Sequence, residues 1–71
     1  MNGARYRKAI ARLDLSQVAA ARFLGVDERT SRRWIADEAP IPHAIGLLLD
    51  VMIYTGLSSQ DVNKIIGRAQ Q

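Results

Sequence analysis

The chain is predicted to be all-α, a compact bundle of about five short helices. Apolar residues recur at spacings of three and four along most of its 71 residues, and no stretch shows the alternation of a half-buried strand. Helix-starting residues (Ser16, Asp27, Ser58) and helix-ending glycines (Gly25, Gly56) also punctuate the periodic segments where the pattern breaks.

Tyr6, Ala9, Ile10 and Leu13 share one face and predict a first helix over residues 3–13, with Arg5, Lys8 and Arg12 on its polar side. Asp14 and Leu15 lead to Ser16, the expected cap of a second helix. That cap leaves Gln17 in the first turn, where freed backbone N–H groups and the side-chain amide can reach a phosphate. Taken without its surroundings, Gln17 is an ordinary solvated residue. Ala20 and Ala21 are small enough for a neighbouring helix to cross closely. Leu24 is expected in the core and Phe23 at its edge, packed on a later helix or partly exposed at an interface.

Gly25 supplies the left-handed conformation of a sharp turn, Val26 tucks beneath it, and Asp27 caps a third helix over 28–36. At 100° per residue, Ser31, Trp34 and Ile35 face the protein and Arg29, Arg32, Arg33 and Ala36 face away. Arginines at i, i+3 and i+4 repel by about 0.2–0.5 kcal/mol per pair, which Glu28 offsets in part by pairing with Arg32. Folding alone does not call for such a cluster. Pro40 and Pro42 break the third helix and open a fourth, apolar from Ala44 to Tyr54 around most of its circumference. Enclosure by helices one, two and five hides most of it, and the remaining strip is expected to pair with a second subunit. Gly56 ends this helix. Ser58 and Asp61 form a capping box for a fifth, with Val62, Ile65 and Ile66 as its apolar side and fraying expected from Gly67 onward.

Gln17, Ala20, Ala21, Leu24, Gly25, Val26, Asp27 and Trp34 stand in a register that resembles the Cro and phage-repressor (XRE-type) helix-turn-helix family. Ala39-Pro40-Ile41-Pro42 with the apolar helix after it extends the likeness over roughly residues 6–54. Ser31 departs from the Val or Ile usual there, and Ile35 from a frequent Glu. The resemblance implies a lambda-repressor-like bundle with a helix-turn-helix core at 16–36, whose third helix enters the major groove of double-stranded DNA. It implies that Glu28, Arg29 and Arg33 touch base edges, at a site containing G·C pairs. It places Gln17 and Arg32 at phosphates, and Thr30 at a phosphate or a thymine methyl. Asp37 and Glu38 occupy the loop where relatives carry basic contacts, so backbone anchoring is expected to shift to Arg5, Lys8 or Arg12. Family members bind as two-fold dimers on inverted repeats, so a homodimer and an inverted-repeat operator are expected.

Composition sets the outer bounds. A single domain over 1–71 is expected, with a core small enough to gain from dimerisation. The net charge of +3 is uneven: residues 1–33 carry +5 and residues 34–71 carry −2. That asymmetry suits a basic face toward phosphates. Cysteine is absent, which rules out disulfides and thiolate zinc sites. Signal-peptide features and a bilayer-length apolar run are lacking, so a cytoplasmic protein is expected, at the nucleoid when DNA-bound. His43 lacks an acid–base partner, Asp37 and Glu38 read as loop solvation, and no phosphate loop or metal-ligand spacing occurs. No catalysis, cofactor, metal or small-molecule ligand is therefore expected. A small DNA-binding regulator, a repressor of phage-like type, is the reading that fits. The alternative is an adaptor- or antitoxin-like helical interaction module that docks through helices four and five, its arginines serving only solubility.

Overall fold

The computed structural model describes residues 1–67 and contains five helices: α1 (Gly3–Arg12), α2 (Gln17–Leu24), α3 (Glu28–Ile35), α4 (His43–Thr55) and α5 (Ser59–Ile65). No strand occurs among the described residues. The fraying expected beyond Gly67 concerns residues 68–71, which lie outside the described residues. α1 packs against both α3 and α4, and α2 packs against α3. The core consists of Tyr6, Ala9, Ile10, Ala20, Phe23, Trp34, Leu49 and Met52.

Local chemistry accounts for the helix starts. Asn2, Ser16, Asp27 and Ser58 each accept a first-turn backbone N–H through the side chain, a cap worth about 1 kcal/mol relative to alanine. Ser58 and Asp61 close a reciprocal capping box, with Ser58 N–H to Asp61 Oδ2 at 3.0 Å and Asp61 N–H to Ser58 Oγ at 3.1 Å. The Ser58 N–H holds the Asp61 carboxyl below the usual carboxylate range. α4 begins differently from expectation: Pro42 is its cap residue, outside the first turn, and its carbonyl accepts from Ile45 and Gly46.

The helix ends follow one pattern with an unexpected residue choice. At Gly25 (φ 72°) the glycine N–H donates to the Arg22 carbonyl and the Val26 N–H to the Ala21 carbonyl, the Schellman arrangement. The same pair of bonds closes α1 and α3, but there the left-handed residues are Asp14 (φ 62°) and Asp37 (φ 59°). Short polar side chains reach this region more readily than other non-glycine residues.

Burial differs from the sequence expectation in α2 and in α5, while α4 leaves the exposed strip that was expected. Phe23 is buried in the core and Leu24 is only half-buried, the reverse of their expected depths. The apolar side expected for α5 packs only through Val62, and Ile65 and Ile66 are exposed. α4 buries Gly46, Leu49 and Met52 and leaves Leu47, Val51 and Tyr54 in solvent.

Candidate nucleic-acid interface

α3 is held from behind by a buried polar and aromatic contact. Trp34 and Tyr6 meet edge to face with ring centroids 5.5 Å apart. The Tyr6 hydroxyl and Ser31 Oγ share a buried hydrogen bond of 2.8 Å. Burial pushes the Tyr6 hydroxyl above the usual tyrosine range, and the bond to Ser31 draws it partly back. Ser31 thus stands where an apolar anchor was expected because a tyrosine hydroxyl from α1 needs a partner there. Trp34 is core, which leaves it no surface for stacking on a partner.

The C-terminal end of α3 is fixed by α1. The Gly3 N–H donates to Asp37 Oδ1 at 2.8 Å, so the positive end of α1 meets the carboxylate that follows α3. A methyl group at Gly3 would overlap the Ile35 carbonyl oxygen and lie 2.6 Å from that of Trp34. Asp37, expected as loop solvation, is therefore a tie between two helices. Its partner lies 34 residues away, and only a non-glycine residue at a helix end hinted at a special role.

With its rear anchored, α3 turns an arc of about 140° to solvent, filled by Glu28, Arg32, Arg29 and Arg33, all exposed. Glu28 Oε1 accepts from Arg32 Nη1 at 2.7 Å, the i,i+4 pairing expected from sequence. Both side chains are about half exposed, so the pair is worth only about 0.3–0.5 kcal/mol. Arg29 and Arg33 form no ion pair with another described residue. Thr30 is half-buried at the edge of the arc. Gln17 is exposed in the first turn of α2, where the Ser16 side chain takes the Ala19 N–H at 3.1 Å.

The bases of α1 form a second surface. Arg5, Lys8 and Arg12 line a groove of about 360 Å³ with Asp50, Ile53 and Tyr54 of α4. Arg5 Nη2 is 3.0 Å from Asp50 Oδ2. Measured around α1, Arg5, Lys8 and Arg12 lie about 140–180° from Gly3, the residue that touches α3. Arg7, which sequence reasoning passed over, lies only about 40° from Gly3 and is exposed. The structure therefore gathers Glu28, Arg29, Arg32 and Arg33 on one arc and sets Arg5, Lys8 and Arg12 along the opposite flank of α1.

Among the described residues no cluster of three His, Cys, Asp or Glu side chains could hold a metal, and no helix is long and apolar enough to cross a membrane. Compared with known families, curated proteins and solved structures, the chain matches none of them.

Proposed function

We propose that the protein binds double-stranded DNA in a sequence-specific manner as a small transcriptional regulator, with α3 in the major groove. The observation that carries this reading is the outward arc of α3, where Arg29 and Arg33 stand exposed on a helix whose opposite side is locked into the core. A rigid mount suits base readout, because bidentate contact of a guanidinium with guanine O6 and N7 requires the helix axis to be fixed. The helix-turn-helix resemblance adds the roles of the remaining side chains. Glu28 accepts from cytosine N4 once Arg32 turns from it to a phosphate, Gln17 contacts a phosphate, and Thr30 contacts a phosphate or a thymine methyl.

Two features extend the proposal. A helix of eight residues spans few base pairs, so two copies on an inverted repeat, about 34 Å apart, provide an adequate site. Backbone anchoring on the α3 side falls to Arg7 in addition to Gln17, because Arg5, Lys8 and Arg12 line the α1/α4 groove. Such a protein works in the cytoplasm, at the nucleoid.

The competing reading, a helical interaction module, draws on the exposed Leu47, Val51 and Tyr54 of α4. Gel shifts on random genomic fragments at low and moderate salt separate the two. DNA binding requires a complex whose affinity falls with salt and is lost in Arg29→Ala/Arg33→Ala. Absence of any complex, or a complex indifferent to those substitutions, would overturn it.

A further inference from the structure

α4 presents to solvent a stripe that no other helix among the described residues covers. Ala44, Leu47, Val51 and Tyr54 are exposed, Leu47 by 53%, Val51 by 54% and Tyr54 by 92%. They fall within an arc of about 80° around the helix. None is charged, and the acid of α4, Asp50, lies outside the arc and is already paired with Arg5.

The spacing along the stripe is three, four, three, which reads the same from either end. A surface that contacts its own copy across a two-fold axis must be self-complementary, residue i meeting j while j meets i. Centred on position 49, an antiparallel copy sets Ala44 against Tyr54 of the partner subunit and Leu47 against Val51 of the partner subunit. Small faces large at each end, and two aliphatic pairs fill the middle, as in alternating layers of an antiparallel coiled coil. A parallel pairing would stack tyrosine on tyrosine at one end and leave alanine facing alanine at the other.

We propose that α4 pairs antiparallel with α4 of a second copy about a two-fold axis at position 49, through Ala44, Leu47, Val51 and Tyr54. This deepens the two-subunit part of the function proposed above. The side chains offer roughly 400 Å² per protomer, about 800 Å² per pair, less than the ~1,200 Å² at which stable specific interfaces begin. The dimer is accordingly weak and reversible in free solution, and it tightens when DNA holds both copies.

The test is read without DNA, so its outcome is independent of whether the arginine arc binds a duplex. Because the chain has no cysteine, Ala44→Cys and Tyr54→Cys each introduce one thiol. In the antiparallel pair like positions are offset by about 15 Å along the axis, whereas 44 and 54 of opposite chains are adjacent. A short bifunctional thiol reagent added to an equal mixture should give mixed dimers at least tenfold in excess over either homodimer. Homodimers of Ala44→Cys in equal or greater yield, or no cross-linking at all, would overturn the pairing. Val51→Asp, at a position half in solvent, should keep the helical dichroism of the parent and sediment as a monomer at concentrations where the parent dimerises. Dimerisation that survives Val51→Asp but is lost in Ile65→Asp would place the contact on α5 and overturn the proposal.

Discussion

The hydroxyl of Tyr6 and the hydroxyl of Ser31, 25 residues apart in sequence, satisfy each other in a part of the core where neither side chain is exposed. This bond joins α1 to the rear of α3 and sets the rotation of the helix that carries the arginines. Removing one partner leaves the other buried without a bond, at a cost of about 1–3 kcal/mol. Tyr6→Phe and Ser31→Ala should each lower stability to that extent. The double variant should be more stable than the sum of the two losses requires, because no orphaned hydroxyl remains. Urea unfolding of the four proteins measures the coupling, and strictly additive losses would contradict it.

The same hydroxyl makes stability sensitive to alkali. The unfolded chain releases the Tyr6 proton near about pH 10, and the native state holds it to higher pH. Above about pH 10 the unfolded state binds fewer protons than the native state, so this contribution to stability is lost as pH rises. Unfolding free energies between pH 8 and 11 should fall more steeply for the parent than for Tyr6→Phe. Parallel profiles would show that Tyr6 does not contribute.

Gly3 and Asp37 tie the other end of α3. Gly3→Ala would drive a methyl into the Ile35 carbonyl, and overpacking of this kind costs about 1–3 kcal/mol. The two left-handed aspartates should then respond unequally. Asp14→Gly relieves a conformational cost of about 1 kcal/mol and should raise the melting temperature. Asp37→Gly relieves a similar cost but deletes the acceptor of the Gly3 N–H, so it should gain less or lose stability. Thermal melts of the three variants check these signs, and an equal rise for both aspartate variants would mean that the tie to Gly3 is without weight.

Much of this architecture was legible because it is local. Ser16, Gly25, Asp27 and the Ser58–Asp61 box act within four residues of themselves, and the 3.6-residue period placed Trp34 inside and the arginines outside. The contacts that orient α3 were not legible, since Tyr6–Ser31 and Gly3–Asp37 each join distant segments. Phe23 shows the same limit: its depth depends on how α2 docks, which the helix period alone does not specify. For the candidate interface, the outward arc could be read from spacing. The separation of Arg5, Lys8 and Arg12 from it could not, because that depends on which flank of α1 receives α4.

The proposed division of labour between base and phosphate contacts has a direct readout. Arg33→Ala should lower affinity for a selected site by about 1–3 kcal/mol and relax preference at one base pair. Gln17→Ala should weaken all duplexes to a similar degree. Site selection from a random library with each variant checks both, and an unchanged selected sequence for Arg33→Ala would remove its assignment to base reading.

On α3 the residues that hold the fold and those that meet solvent form separate sets: Ser31 and Trp34 on one side, Glu28, Arg29, Arg32 and Arg33 on the other. The helix can therefore diversify without renegotiating the core. Positions 28, 29, 32 and 33 are open to wholesale randomisation, and most members of such a library should still fold, each displaying a different surface on the same mount. Divergence among descendants of this chain would concentrate at those four sites, and new binding preferences could arise there by single substitutions that leave stability nearly untouched.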